Sequence, residues 1–499
     1  MTTSRTERAA RNGSEDGIAL VLVLLFVLAM SSIGASMMVL SQTESLGSQN
    51  YRMMSQARYG AESGVHRAIN YLMNSYALPG GAGDPLANYN MAVSPVTYLG
   101  QPVVLSSMVS VGANYPAAAT STAFAAAVQG TLPGGGTAVQ YSAAATLVSM
   151  RQILAYGAGT STVVQTWRIT GAGGIVGVRN ATVEVTSLLE TQVVPTHTYA
   201  AFATNAGCGA LSFNGGVTTD SYDSQSFTLV AGKPATQPQA GDVGTNGNLT
   251  EGGGTLVNGS LSTPRSGVGN CKAGAVDALT LNGGAQLTGG IVQLPQAVAY
   301  SPPALPNPLP PTSNMNIQAN STCATAGIAA GVCAGAGGVL TITPAGAVVS
   351  LGNLRLTGGS TIHLAAGTYN VNSVTLAGNA RLIIDSGPVV MNVAGVGQNT
   401  VIDFTGGTIS NGTFRPSDFQ IQYAGTGGMS LNGGTSSAAL VYAPAAAINL
   451  SGGADFFGSV LGATVVVSGG TKIHYDRHLA QTFFTVGNAM LNTFSWKKY

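Results

Sequence analysis

Residues 18–40 read IALVLVLLFVLAMSSIGASMMVL, and no charged residue lies between Gly17 and Thr43. A helix needs about 20 consecutive apolar residues to cross a bilayer. The apolar region of a secretory signal is shorter, roughly 7–15 residues. The stretch therefore predicts a membrane-spanning helix. The side chains expected to anchor it are large and apolar: Leu20, Leu24, Leu25, Phe26 and Leu28.

The helical pattern continues beyond the apolar stretch. Apolar residues from Leu46 to Tyr76 recur at three, four or seven positions, which is the amphipathic helical period. Leu78-Pro79-Gly80-Gly81 is expected to end the helix, because proline and glycine continue one poorly. A small-xxx-small pair in this outer half permits close approach of another helix or a domain face. The residues expected to pack there are Gly60, Ala61, Glu62 and Gly64.

The N-terminus as a whole has a short polar leader ending at Gly17, an apolar helix starting at Ile18 and an amphipathic continuation. It resembles type IV pilins and, more narrowly, the PilX N-terminal family, through Gly17-Ile18-Ala19-Leu20-Val21 and Ala61-Glu62-Ser63-Gly64. The resemblance implies that a prepilin peptidase cuts after Gly17 and leaves Ile18 as a methylated N-terminus. Leu22 stands where major pilins carry glutamate, which favours a minor subunit.

Charge is scarce throughout the 499 residues: 7% are charged, 45% are hydrophobic, 69 are glycine and the formal net charge is +1. Ordinary soluble domains are roughly a quarter charged. Disorder is disfavoured, because disordered chains are charged and poor in β-branched residues. The composition favours an exported β-rich surface. It also argues against nucleic acid as a partner, because binding a phosphate backbone needs an excess of basic residues that this chain lacks.

The four cysteines are Cys208, Cys271, Cys323 and Cys333. An even number beyond the apolar segment is typical of an oxidising compartment and two disulfides. Of the three possible pairings, Cys208–Cys271 with Cys323–Cys333 is favoured, because the second closes a short Ala/Gly-rich loop with little else to order it. Four free buried thiols are the alternative. No Cys-x-x-Cys spacing is present, which argues against a structural zinc site.

The region before the first cysteine predicts a small β-sheet. Val103–Val111, Ala143–Ile153 and Val163–Ile169 alternate apolar and polar residues as strands do. A Gly-rich turn at 171–174 is expected to join the last of these to a further strand over 178–188.

A six-residue motif then repeats. Each copy is a short alternating strand followed by Gly or Asn, which tolerate the positive φ of a tight turn. Self-similarity at about 20–50 residues is typical of a solenoid. The β-branched, alternating content favours a parallel β-helix with Val, Ile and Leu inside. The copies begin at Leu211, Leu279, Leu354, Val374, Met429, Ile448 and Val465.

The predicted fold is therefore mainly β: a long N-terminal α-helix, transmembrane then amphipathic, a small β-sheet region and a Gly-rich parallel β-helix. A proline-rich strap either links two solenoid modules or lies along the solenoid's side. The expected divisions are a leader over 1–17, the helix over 18–78, a pilin-like head over 79–198, a first solenoid segment over 199–293, the strap and a Cys loop over 294–338, and a C-terminal β-helix over 339–499.

Two groups of polar residues invite a chemical interpretation. Asp220 and Asp223 form the one tight acidic pair of the solenoid, and a turn with Asx-type hydrogen bonds is favoured over a calcium site. His474, Asp476 and His478 would share one strand face and are expected to cap the last coil rather than bind a metal or catalyse. We predict no catalytic residue, metal or cofactor, and no enzymatic activity.

The expected function is that of a pilin-like minor subunit of a type IV pilus or related fibre, acting in pilus assembly, initiation or surface adhesion. The expected partners are other pilins or minor pilins through the N-terminal helix, prepilin peptidase, the inner membrane, and a surface polysaccharide or host or substrate surface. The chain would lie in the bacterial inner membrane before assembly and on the fibre or cell surface afterwards, with its bulk extracytoplasmic. The alternatives are a membrane-tethered polysaccharide-active enzyme and a secreted β-helix adhesin cut after Ala35.

Overall fold

The computed structural model describes residues 15–133, 138–157, 161–175, 181–344, 346, 348–432 and 437–498. Two units make up the chain. Unit 1 comprises Met1–Met150, Gln165–Glu190 and Leu491–Tyr499, and unit 2 comprises Arg151–Val164 and Thr191–Met490. The predicted leader falls mostly on residues 1–14, which lie outside the described residues.

One continuous helix, α1 (Glu15–Asn74), carries both the apolar and the amphipathic stretch of unit 1. It ends before the predicted Leu78. The N–H groups of Ser75 and Tyr76 both donate to the Tyr71 carbonyl at 2.9 Å, which closes the last turn before proline or glycine is reached. A second helix, α2 (Ala118–Ala127), was not predicted, because its Ala/Thr-rich sequence has no apolar period.

Unit 1 also contains an antiparallel sheet, in which β3, β5, β6 and β7 are neighbours and β4 adds to β5. The strands up to this point are β1 (Thr97–Tyr98), β2 (Gln101–Pro102), β3 (Val104–Ser106), β4 (Gly130–Leu132), β5 (Val139–Leu154), β6 (Ser161–Ile175) and β7 (Ala181–Pro195). The predicted strand over 103–111 is shortened to β3, because the Ser106 hydroxyl accepts the Met108 N–H at 3.0 Å and turns the chain.

The predicted Gly-rich turn at 171–174 is wrong. These four residues lie inside β6, and register pairs run from Thr166–Glu190 to Ile175–Ala181. The first residues of the predicted strand over 178–188 fall outside the described residues.

In unit 2, the strands from Ala201 to Asp476 that pair in parallel form what we call the parallel stack. Two pairs in this range, at 229–234 and 333–342, are antiparallel. The strands of unit 2 are therefore mostly parallel. They are β8 (Ala201–Ala203), β9 (Leu211–Asn214), β10 (Thr218–Tyr222), β11 (Leu229–Val230), β12 (Lys233–Pro234), β13 (Val243–Thr245), β14 (Leu249–Gly252), β15 (Leu256–Val257), β16 (Leu261–Thr263), β17 (Leu279–Leu281), β18 (Gln286–Leu287), β19 (Ile291–Gln293), β20 (Asn314–Ile317), β21 (Cys333–Ala336), β22 (Val339–Ile342), β23 (Val349–Leu356), β24 (Thr361–Leu364), β25 (Gly367–Leu376), β26 (Ala380–Ile384), β27 (Val389–Val393), β28 (Thr400–Asp403), β29 (Gly407–Asn411), β30 (Phe419–Tyr423), β31 (Gly428–Asn432), β32 (Ser437–Ser451), β33 (Asp455–Ser468) and β34 (Lys472–Asp476), and β35 (Phe484–Lys498) follows them.

The repeated motifs occupy one row of this stack. The first residue of each copy pairs with the first residue of the copy above and below it, and every one is buried. Three further strands continue the row, and their first residues in it are Leu249, Ile402 and Met315. In spatial order the row reads Met315, Leu354, Val374, Ile402, Met429, Ile448, Val465, Leu211, Leu249 and Leu279.

Spatial order and chain order differ at one point. Ala201 pairs with Val460 on one side and with Val243 on the other, so β8 lies between strands far away in sequence. The predicted first solenoid segment, 199–293, therefore stacks directly on the strands of the predicted C-terminal β-helix up to Asp476. Their apolar residues form a single core. The predicted β-helix does not reach residue 499, because β35 joins the antiparallel sheet beside β7.

The proline-rich strap, 294–311, lies along the side of the stack and carries the chain from one end of it to the other. Near its start, the Val298 N–H donates to the Asn246 side-chain oxygen at 2.8 Å. Near its finish, the Asn370 side-chain amide donates to the Pro308 carbonyl, also at 2.8 Å. Side-chain amides on the stack thus hold the backbone groups of a segment that has no regular structure of its own.

Candidate functional site

The inner half of α1 exposes its apolar side chains. From Ile18 to Leu40 the large apolar residues are 52–67% exposed, including all five predicted anchor residues. Among the described residues, α1 is the one helix long and apolar enough to cross a membrane. An exposed apolar surface of this length is costly in water and favourable in a bilayer. The inner half is thus suited to membrane anchoring.

The outer half of α1 packs on the sheet of unit 1 through glycines on both surfaces. On the helix, a Cβ at Gly60 would lie 2.7 Å from the Val139 side chain, and one at Gly64 would lie 2.7 Å from the Ser142 carbonyl oxygen. Both separations are too short for real atoms. The predicted small-residue pair therefore packs against strand β5 rather than against another helix.

Across from them, β6 supplies glycines of its own. A Cβ at Gly173 would lie 1.9 Å from the Ala57 carbonyl oxygen, and one at Gly171 would lie 2.2 Å from the Ala61 carbonyl oxygen. The helix backbone thus rests directly on the strand backbone. This close approach is the physical reason for the Gly-rich run that the sequence analysis interpreted as a turn.

One face of α1 is completely buried in this contact. Ala57, Ala61 and Val65 have no exposed surface. Glu62, predicted to pack with them, instead forms an ion pair with Arg58 at 2.8 Å, and the arginine side chain is half exposed. Pairs of this kind contribute roughly 0.5 kcal/mol at most. The small residues, and not the charges, define the packing surface.

A buried polar cluster joins strands that are far apart in sequence. His474 on β34 lies opposite Asp220 on β10 in register, and its Nδ1 contacts an oxygen of that carboxylate. The other ring nitrogen of His474 lies 3.3 Å from Asp455 on β33. The second oxygen of Asp455 contacts the ammonium of Lys233. The order of the cluster is Asp220–His474–Asp455–Lys233.

The electrostatics of this cluster reflect its burial and its pairing. Burial lowers the pKa of His474, but the hydrogen bonds with Asp220 and Asp455 outweigh it, and the pKa is raised overall. The hydrogen bond from His474 holds the pKa of Asp455 well below its usual range, Lys233 adds to this, and burial opposes it. With His474 protonated, two negative and two positive charges cancel.

The other polar residues singled out from the sequence act locally. Asp223 accepts the Gln225 N–H at 2.9 Å, which is the predicted Asx-type turn. Asp476 accepts the N–H groups of Ser224 and His478, at 3.0 and 3.1 Å, and caps a short 3₁₀ turn at Arg477–Gln481. Within the described part of the chain, no group of three or more His, Cys, Asp or Glu residues could hold a metal ion.

The sequence analysis singled out Asp220 and His474 but did not connect them. They are 254 residues apart in the chain, and Asp455 and Lys233 lie in yet other segments. Only the return of the C-terminal strands to the first strands of the stack brings the four together. No local signal in the sequence carries that information.

Both disulfides are present. Cys208 is bonded to Cys271 and Cys323 to Cys333, the pairings that the sequence analysis favours. Their sequence separations, 63 and 10 residues, differ widely. The first joins the turn after β8 to the loop before β17, and the second closes the loop before β21. Each fixes a segment with little regular structure.

Comparison with known proteins gives partial matches. Residues 347–482, less than a third of the chain, match the model of a family described as a domain of unknown function, DUF7305. The crystal structure of the competence-associated pilin ComZ from Thermus thermophilus aligns with 90% of this chain and 98% of its own, at 13% identity and a TM-score of 0.24. A TM-score of this size does not establish a shared fold. No curated protein matches the chain.

Proposed function

We propose that this chain is a pilin-like minor subunit of a type IV pilus or related fibre. It would be held in the inner membrane by α1 before assembly and would display the parallel stack at the fibre or cell surface afterwards. Its role would be assembly, initiation or adhesion. Other pilins, packing against the inner half of α1, would be its partners in the fibre, and prepilin peptidase would process it after Gly17.

The observation that carries this proposal is that the two halves of α1 have different surfaces. One unbroken helix presents an exposed apolar surface over Ile18–Leu40 and, further on, a surface of small residues packed against a sheet. A membrane anchor alone does not require the helix to continue into the folded unit. A subunit that leaves the bilayer to join a fibre needs a rigid connection between its apolar helical segment and its folded unit, and one unbroken helix provides it.

We further propose that the parallel stack is a β-helix that serves as a binding scaffold and not as an enzyme. The row of ten buried apolar residues, one in each layer, supports the first part. The second is supported by the Asp220–His474–Asp455–Lys233 cluster, in which each carboxylate is already engaged by a cation. A carboxylate that is already paired with a cation is not poised to act as a general base.

The proposal is tested with two glycine substitutions in α1. Gly17→Val blocks the proposed cleavage position and keeps the segment apolar. Gly34→Val is the matched control, because nothing lies within 4 Å of the Cβ it adds. We expect the Gly17→Val chain to stay uncut in the inner membrane and to be absent from sheared fibres, whereas the control is cut and incorporated. Equal amounts of the two variants in the fibre fraction would contradict the proposal.

A further inference from the structure

A groove runs along the outside of the parallel stack in unit 2, beneath the strap. Its volume is about 890 Å³. The outer surface of the stack forms the floor. The sides are formed by residues 304–307 of the strap, 154–157 and 482–484. A groove of this size and concavity accommodates a small molecule or a short stretch of polymer.

Among the described residues, the lining of the groove carries no Asp, Glu, Lys, Arg or His. A charged ligand would lose its hydration on entering the groove and would find no opposite charge there, which costs several kcal/mol. The polar groups of the floor are instead amides and a hydroxyl, contributed by Thr368, Asn392, Gln420 and Gln422. An uncharged ligand that forms hydrogen bonds fits this composition.

Two of the amides have an uncommitted acceptor. The Gln420 amide nitrogen donates to the Ser417 carbonyl at 2.8 Å, and the Asn392 amide nitrogen donates to the Asn370 side chain at 3.1 Å. Among the described residues, the carbonyl oxygens of Gln420 and Asn392 accept no hydrogen bond. Gln420 is also only 8% exposed. Side-chain carbonyl oxygens that accept no hydrogen bond and line a groove favour a ligand rich in donors, such as hydroxyl groups.

The register spaces these groups regularly. Asn392 pairs with Gln422 on the next strand, and Thr368 and Gln420 are each partnered by Val390, on its two sides. Neighbouring parallel strands are about 4.8 Å apart, so Thr368 and Gln420 are separated by roughly 10 Å along the stack. A ligand that spans both must itself extend along the groove.

Aromatic rings provide the apolar wall. Tyr156 packs edge-on against Phe483 with ring centroids 4.8 Å apart, and against the buried ring of His197 at 5.1 Å. These contacts fix the rings before any ligand arrives. Rigid aromatic side chains offer a large contact area at low entropic cost.

We propose that this groove binds a neutral, hydroxyl-bearing oligosaccharide. The carbonyl oxygens of Asn392 and Gln420 accept hydrogen bonds from its hydroxyls, the Thr368 hydroxyl forms another, and the wall formed by Tyr156 and Phe483 packs against the C–H faces of its rings. The inference names a ligand class for the adhesion proposed above and rests on that function for its biological role.

The test is isothermal titration calorimetry on the full chain, in a detergent without sugar headgroups. The probes are cellohexaose, maltohexaose and laminarihexaose, with hexagalacturonate as the charged counterpart. The double variant Thr368→Val/Gln420→Met removes two polar groups of the floor. Gln293→Met is the matched control, an exposed glutamine on β19 outside the groove. Single Thr368→Val, which keeps the side-chain shape, guards against a folding defect.

We expect at least one neutral hexasaccharide to bind. The double variant should bind it about thirtyfold more weakly, since two lost hydrogen bonds are worth roughly 1 kcal/mol each, and the control should bind it as the natural chain does. Thr368→Val alone should weaken binding about fivefold. The proposal is overturned if no neutral hexasaccharide binds, if the double variant binds equally well, or if hexagalacturonate binds best. Gly17 processing and fibre incorporation are measured separately, so loss of the groove and loss of the pilin-like role are distinguishable.

Discussion

Glu251 occupies a position where the other repeats carry an apolar residue. In the row of third positions it pairs with Phe213 on one side and Leu281 on the other. Its side chain has no exposed surface. One carboxyl oxygen accepts from the Thr255 hydroxyl at 3.2 Å, and the other is buried with no hydrogen-bond partner among the described residues. Substituting Glu251→Gln removes the ionisation and keeps the shape.

The expected effect follows from the pKa. Burial raises the pKa of Glu251 from its ordinary 4.5 to about 7, opposed by the Thr255 hydrogen bond. Folding therefore keeps the carboxyl protonated, and ionising it destabilises the folded state. A pKa difference of 2.5 at roughly 1.4 kcal/mol per pKa unit amounts to about 3 kcal/mol. That stability is present below pH 4.5 and is lost as the pH rises through 7.

The assay is urea unfolding of the full chain in detergent micelles, followed by circular dichroism at pH 4.5, 6 and 8. Glu251→Gln should match the natural chain at pH 4.5 and exceed its free energy of unfolding by about 3 kcal/mol at pH 8. Glu44→Gln, which changes an exposed carboxyl on α1, is the control and should differ little at any pH. A difference between Glu251→Gln and the natural chain that does not vary with pH would refute the reasoning.

Two further predictions concern the helix packing and the buried cluster. Gly173→Ala should destabilise unit 1 by about 3 kcal/mol or more, because its Cβ would collide with the Ala57 carbonyl, whereas Gly47→Ala, in open space on α1, should be neutral or stabilising. Thermal unfolding of both variants measures the difference. Asp455→Asn should cost about 3 kcal/mol at pH 5 and less at pH 9. Because the pKa of His474 is raised in the folded state, the stabilisation that the protonated ring contributes is fully present below pH 6.5. It is lost as the pH rises through the folded-state pKa. An equal cost at both pH values would argue against the paired His474.

The repeats were the most informative part of the sequence. The seven copies recognised from their Gly-rich turns lie in one row, because the same strand-and-turn unit recurs once per layer. The copy at Leu249 escaped notice because Glu251 interrupts its apolar pattern. The mainly β fold and the long apolar helix could thus be predicted from local patterns alone.

Long-range order could not be predicted. Nothing near Ala201 indicates that β8 lies between β33 and β13, because any two apolar strands of this stack have similar surfaces. The Lys233–Asp455 and Asp220–His474 contacts depend on that placement. The predicted turn at Gly171–Gly174 was wrong for a different reason. Glycine is found both in tight turns and where two backbones approach closely. Sequence distinguishes these two uses only when the packing partner is known.

The central claim is that α1 is processed and assembled as a pilin-like helix, and the mature N-terminus tests it most directly. Mass spectrometry of the chain from native envelopes and sheared fibres should find a polypeptide that begins at N-methylated Ile18 in both fractions. A chain that begins at Met1, or near Ser36 after cleavage at Ala35, would contradict the claim. It would leave a tethered or secreted β-rich protein unrelated to pili.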